Sequence, residues 1–149
     1  MTKAVKETRH IGIAVTNMKK SLHFYRDLLG LEIVREMDES GEYIDNMLSI
    51  NNVNVKTVKM SANNGVTLIE LLEFKSHPKE NKQREIYDIG ASHVAFTVEN
   101  LNEMYEYLLN LGVKFNAPPQ TSPDKFAKVA FCKDPDGIPI ELVEVLEID

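Results

Sequence analysis

HIGIAVTNM (10–18) and HVAFTVENL (93–101) are the same phrase written twice, 83 residues apart. Each copy starts on a histidine and alternates apolar residues. Each then passes through a polar pair and closes on an apolar residue that opens a helix. Period-two alternation followed by a polar cap and a 3.6-residue period is the signature of a strand running into a helix. Working outward, a second echo appears: GVTLIELLE (65–73) and GIPIELVE (137–144), with Glu70 and Glu141 in the same place after Ile69 and Ile140. A repeat that keeps two histidines and two glutamates implies one metal site built by pseudo-twofold symmetry.

The pattern predicts the following elements. In the first copy a strand covers about Thr8 to Val15, with Ile11, Ile13 and Val15 on one face and His10, Gly12 and Ala14 on the other. Thr16-Asn17 caps a helix from Met18 to Leu29, whose apolar stripe is Met18, Leu22, Tyr25 and Leu29, and Gly30 ends it. Strands follow at 31–37, 53–60 and 67–74, with a polar turn at 38–41 and an Asn63-Asn64-Gly65 hairpin. Residues 76–90 form a linker. The second copy repeats the order: a strand at 92–98, a helix at 101–111 capped by Gly112, a short strand at 113–116, a proline-bearing loop at 117–124, and strands at 126–133 and 138–145. Asp134-Pro135-Asp136-Gly137 is the turn between the last two.

Each module is thus strand, helix and three strands. The expected fold is α+β: two paired βαβββ modules (8–75 and 91–146) in one domain, forming a curled, cup-shaped mixed sheet with the helices outside. His10 to Glu70 spans 60 residues and His93 to Glu141 spans 48, so the first module carries an insertion of 12. It falls around 42–52, where it is a candidate lid or pocket wall.

Composition narrows the function classes. At 149 residues the chain is long enough to bury a full core. A net charge of −6 argues against a nucleic-acid partner, which needs a basic stripe. No apolar run approaches the length of a membrane span, and the first ten residues lack the apolar region of a signal peptide. The single Cys132 excludes an intrachain disulfide and fits a reducing, cytoplasmic setting; its place in a strand makes it a buried, inert thiol.

The faces of the histidine strands decide where the site lies. Gly12 and Ala14 lie beside His10, and Ala95 and Thr97 beside His93; these small residues leave room for a hollow with the histidines at its floor. Glu70 and Glu141 sit in apolar strands, where a lone carboxylate is costly to desolvate. A divalent cation accounts for both carboxylates and both imidazoles. Two nitrogens and two carboxylate oxygens suit Zn, Ni, Co, Mn or Fe(II), with one or two positions left open. A single strand histidine is more often a core residue, and a single strand glutamate a surface one; four at matching places need four coincidences. His23 and His77 are read as solvated, as are Asp38, Glu39 and Glu42. Tyr43, Met47, Phe126 and Phe131 are candidates to line a pocket.

The repeated module, the HIGIAV and HVAFTV starts, LLGLEI (28–33), IELLE (69–73) and KDPDGIPIELVE (133–144) together resemble the vicinal oxygen chelate superfamily. This is the group of glyoxalase I, methylmalonyl-CoA epimerase, extradiol dioxygenases and fosfomycin and bleomycin resistance proteins. The resemblance covers the chain from about His10 to Val145. It implies that two modules pair into a cup, with ligands from the first and last strand of each: His10, Glu70, His93 and Glu141. It also implies a homodimer, with the site completed within one chain or across the dimer. In the dioxygenase and fosfomycin branches the ligands correspond to His10, His93 and Glu141 alone. In the glyoxalase I and epimerase branches the Glu70 position is a fourth ligand.

The full quartet leans towards a lyase or isomerase of the glyoxalase or epimerase type. Such an enzyme acts on a small oxygenated metabolite or its thioester through a metal-stabilised enediolate. Glu141 is the first choice for general base and Glu70 the second. The alternatives are an Fe(II)-dependent extradiol-type dioxygenase and a non-catalytic small-molecule binder. Glyoxalase I of bacteria has an arginine at the place of Ala14 and an asparagine at the place of Phe74; both departures argue against glutathione. The epimerase branch matches better at IELLE, but its last hairpin is longer and no basic cluster for a CoA phosphate is visible.

Overall fold

The structure, a computed structural model, describes residues 3–147. It divides into two compact units, one ending at Asn81 and the other starting at Lys82. The class is α+β, and each unit carries one four-stranded mixed sheet. The division falls inside the linker read from composition.

The first unit runs β1 (His10–Ala14), α1 (Met18–Leu22), β2 (Glu32–Ser40), α2 (Glu42–Leu48), β3 (Asn54–Ser61) and β4 (Leu68–Phe74), with strand order β1-β4-β3-β2. Strands β2, β3 and β4 form an antiparallel meander that brings β4 alongside β1, and these two pair in parallel. The second unit repeats this with β5 (Val94–Thr97), α3 (Leu101–Asn110), β6 (Gln120–Thr121), β7 (Ala127–Lys133) and β8 (Pro139–Val145), in order β5-β8-β7-β6. Strands β5 and β8 are again the parallel pair.

Alternation along the strands builds each core. In the first unit Ile13, Val58, Met60, Ile69 and Leu71 are buried on the face that α1 covers, as are Met18, Phe24 and Tyr25 of the helical segment. In the second, Ala130, Cys132, Ile140 and Leu142 are buried on the matching face, with Leu101 and Leu108 of α3.

The helix caps follow the sequence reading. The Lys20 N–H donates to Asn17 Oδ1 at 3.0 Å, and the Glu103 N–H to Asn100 Oδ1 at 3.1 Å. Gly30 ends the first helical segment at φ +78°, a conformation that an L side chain adopts only with strain. Replacing Asn100 with Ala is expected to destabilise the protein by about 1 kcal/mol, seen as a lower urea midpoint at unchanged slope.

The structure corrects several boundaries. The stretch read as one α-helix over 18–29 changes register at His23: residues His23–Leu28 form a π-helical segment, in which the Leu29 N–H donates to the Phe24 carbonyl at 3.0 Å. The wider turn brings two adjacent rings, Phe24 and Tyr25, inward together, in edge contact with centroids 5.0 Å apart. Ser21 and Phe24 therefore take core places that the 3.6 period assigned to Leu22 and Leu29. The turn expected at 38–41 is strand as far as Ser40, because Asp38, Glu39 and Ser40 continue the ladder against Lys56, Val55 and Asn54. An edge strand that faces water tolerates such polar residues. The short strand expected at 113–116 is a single bridge, Phe115 to Cys132; the prolines that follow have no N–H to extend a ladder. The loop at 117–124 contains the two-residue β6.

The insertion folds as α2. Ile44 packs with Val53 and Val55, against Leu72 and Phe74. Leu72 and Phe74 share the alternation of Glu70, so α2 covers the sheet face opposite to α1, the face that carries His10 and Glu70. No helix among the described residues is long and apolar enough to cross a membrane.

Candidate metal centre

Strand register places the four candidate ligands as two equivalent pairs. In the first unit Gly12 is the partner of Glu70 across the parallel ladder, so His10, two residues back, shares its face. In the second unit Ala95 is the partner of Glu141, and His93 again lies two residues back, one residue before β5 begins. His10 Nε2 lies 2.8 Å from Glu70 Oε2, and His93 Nε2 lies 2.9 Å from Glu141 Oε2. The same two atoms meet at the same place in both repeats. Among the described residues no group of three or more His, Cys, Asp and Glu side chains stands ready for a metal; the donors come as two pairs.

The donor set fits a transition metal. Two donors each about 2.1 Å from one ion and at right angles to each other stand about 3 Å apart, close to the separation within each pair. The environments fit as well. Glu70 is 9% exposed in an apolar strand, a costly place for a carboxylate without a cation. The second ring nitrogen of His93 lies 2.8 Å from Ser92 Oγ, the kind of outer contact that fixes the tautomer of a ligating imidazole. The ring also meets Phe131 edge-on, with centroids 5.2 Å apart. His10 Nδ1 is buried and has no hydrogen-bond partner among the described residues. Both histidines thus turn Nε2 to a carboxylate.

The surroundings of the two carboxylates differ. On the side of Glu70 away from β1, β3 places Lys59, whose Nζ is 3.9 Å from Glu70 Oε1. At the equivalent place beside Glu141, β7 places Phe131. The sequence reading missed Lys59 because the two hairpins differ in length: Lys59 precedes its glutamate by 11 residues and Phe131 precedes its own by 10. Only the ladder reveals the correspondence. Ser92 was legible as a hydroxyl next to the histidine, but so was Ser76 next to His77, which lies outside the repeated motifs.

The second acid of each E-x-x-E, Glu73 or Glu144, has a different task. Three residues along a strand reverses the face, so these carboxylates turn towards the helices. Glu73 accepts the Met18 N–H at 3.2 Å and Glu144 accepts the Leu101 N–H at 2.8 Å, each at the start of a helix. They brace helix on sheet and are removed from the candidate ligands by strand alternation alone.

His23, Asp38 and Glu42 fall where solvation was expected, and Glu39 does not. His23 is exposed with Nδ1 3.3 Å from Asp27, and Asp38 and Glu42 are exposed; Glu39 is half-buried. The guanidinium of Arg26, 2.6 Å from Asp27, holds that carboxyl below its usual range, on a surface away from the site. Cys132 is fully buried, and burial pushes its thiol up to about 12, which leaves it protonated and inert at neutral pH. Tyr43, Met47 and Phe126 are exposed and Phe131 is half-buried.

Known proteins resemble this chain in sequence and in fold. The family model described as Glyoxalase/Bleomycin resistance protein/Dioxygenase superfamily matches residues 8–142. Uncharacterized protein YwkD of Bacillus subtilis is 32% identical over 94% of this chain and 98% of its own length. A probable lactoylglutathione lyase of Synechocystis is 30% identical over 91% of this chain and 92% of its own. In fold, a glyoxalase family protein of Bacillus cereus matches with a TM-score of 0.88 at 22% identity, covering 99% of each chain.

Proposed function

The chain belongs to the Glyoxalase/Bleomycin resistance protein/Dioxygenase superfamily, and from that premise we propose that it is a metal-dependent lyase or isomerase of the glyoxalase or epimerase type. We propose His10, Glu70, His93 and Glu141 as ligands of one divalent ion (Zn, Ni, Co, Mn or Fe(II)). The substrate is a small oxygenated metabolite or its thioester, and the protein acts as a homodimer. The observation that carries this reading is the duplicated pair: an imidazole Nε2 facing a carboxylate oxygen at 2.8 and 2.9 Å, at equivalent register in both units.

When bound, the ion supplies Lewis-acid stabilisation of the oxyanion that develops beside a carbon losing its proton. The chain supplies the rest. His10 and His93 turn Nε2 towards the glutamate of their own repeat, at 2.8 and 2.9 Å, so that a bound ion would take the place of the N–H between the two donors. One glutamate takes the proton from the C–H and returns it to the adjacent carbon or to the opposite face. Glu141 suits that task better. Its strand neighbours are Ala95 and Phe131, and among the described residues no lysine pairs with it, whereas Lys59 Nζ lies 3.9 Å from Glu70. Ala14 is exposed on β1 at the place where the resemblance to bacterial glyoxalase I implies an arginine, so glutathione adducts are not the favoured substrates.

A second reading draws on the same lysine. If Lys59 alone neutralises Glu70, then His10, His93 and Glu141 remain as the three ligands of an Fe(II) dioxygenase. Elemental analysis of the protein purified without chelator is expected to find about one divalent ion per chain. Deuterium from solvent is then expected to enter 2-hydroxy or 2-oxo compounds or acyl thioesters, followed by NMR. Iron with oxygen uptake on a catechol would select the dioxygenase; absence of metal would leave a small-molecule binding protein.

A further inference from the structure

The two repeats diverge in one row of the face that bears the histidines. Residues paired across a ladder project to the same side of a sheet. In the first unit the row reads Gly12, Glu70, Lys59 and Arg35 across β1, β4, β3 and β2. In the second the equivalent row reads Ala95, Glu141 and Phe131. One row carries two fixed cations, and the other carries none.

The first row holds a cation that its carboxylate only partly engages. Lys59 Nζ approaches Glu70 only to 3.9 Å, at the outer limit of an ion pair, and 23% of its side chain remains exposed. Arg35 is exposed and has no carboxylate partner among the described residues. Glu32, paired with Ser61, shares this face with Arg35, which leaves Lys59 as the half-buried cation of the row. A divalent ion on Glu70 would compete with Lys59 for that carboxylate and add positive charge beside it. Like charges gathered on a half-buried face repel one another unless an anion joins them.

We propose that Lys59, with Arg35 behind it, is a substrate-binding group that takes a carboxylate remote from the reacting carbon. The substrates of this site are thereby carboxylated 2-hydroxy or 2-oxo compounds. This rests on the metal-dependent reading given under Proposed function and narrows its substrate class. A carboxylate fits better than a phosphate, because a doubly charged group drawn to Lys59 would be repelled more strongly by the Glu70 carboxylate 3.9 Å away. The apolar row of Ala95 and Phe131 offers such a group nothing.

The test uses two probes that differ only in a terminal carboxylate against a methyl group: 2-hydroxybutanedioate and 2-hydroxybutanoate. Metal content is measured first, in the wild-type protein and in Lys59→Met and Lys59→Arg, and each metal-loaded protein is then titrated calorimetrically with both probes. Equal metal content in all three proteins is expected. The wild type is expected to prefer the dianion by about tenfold or more, a preference that shrinks with added salt. Lys59→Met is expected to reduce it to within about twofold, and Lys59→Arg to restore most of it.

Equal affinity for the two probes in the wild type, or an undiminished preference in Lys59→Met, overturns the proposal while the metal reading stands. Loss of metal in Lys59→Met also overturns it, since Lys59 then acts only as a support for Glu70. A wild-type protein without metal defeats the metal reading, and this inference falls with it.

Discussion

The His10→Ala and Glu141→Ala proteins are expected to lose nearly all bound metal and to keep the fold. A four-ligand site of this type binds with an apparent free energy of about 12 kcal/mol, so one ligand accounts for about 3 kcal/mol and its loss weakens binding on the order of 10²-fold. Dialysis against metal-free buffer followed by elemental analysis reads this directly. The fold is expected to survive because neither side chain belongs to the core. The His10 side chain is 33% exposed and the Glu141 side chain 21%, and they lie on the sheet faces opposite to α1 and α3. The shift in melting temperature is expected to stay within a few degrees, as for substitutions that open no cavity. Glu141→Gln separates binding from proton transfer. It keeps an oxygen donor but cannot take a proton, and solvent deuterium exchange is expected to fall by about 10²–10⁴-fold. A His10→Ala protein that retains a full complement of metal would remove His10 from the ligand set.

Leu71→Ala is expected to cost about 3 kcal/mol, the largest stability loss among single truncations of the sheet. Leu71 is fully buried on the helix-covered face, between Ile13 of β1 and Val58 of β3 in the ladder. Cutting it to Ala removes the transfer free energy of three carbons and leaves a void that the flanking strands cannot collapse into. Leu142, also fully buried, holds the same place in the second unit between Phe96 and Ala130, and Leu142→Ala is expected to cost a similar amount. Leu72→Ala is the control. Leu72 is half-buried on the opposite face, next to Gly12 and under α2, and its truncation is expected to cost less than half as much. Urea titrations of the three variants check the order. Equal losses at Leu71 and Leu72 would contradict the assignment of faces.

The same alternation explains which parts of the site were legible. His10, Glu70, His93 and Glu141 stood out because a duplicated pattern marks positions without needing distances. The pairing of each histidine with the glutamate of its own repeat then follows from the parallel ladder. Lys59 was not legible, because its relation to Phe131 depends on hairpin lengths that differ by one residue. Glu73 and Glu144 were visible in the motif, but their task was not, since it depends on where a helix begins relative to a neighbouring strand. The π segment was also hidden. The apolar spacing of 18–29 accommodates an ordinary helix, and the choice went to packing two rings against the sheet.

The sequence by itself determined the duplicated βαβββ order, the helix starts at Asn17 and Asn100, the Asn63-Asn64-Gly65 turn and the four candidate ligands. Each of these is set by local chemistry: side-chain alternation, a capping oxygen, or a backbone conformation that Asn and Gly tolerate. Tertiary structure alone decided which strands became neighbours, and with them that a lysine stands beside one glutamate and a phenylalanine beside the other. It also decided that the inserted helix lies on the face of His10. Those outcomes depend on register between segments far apart in the chain, which ladder hydrogen bonds and burial select together and which no local pattern encodes.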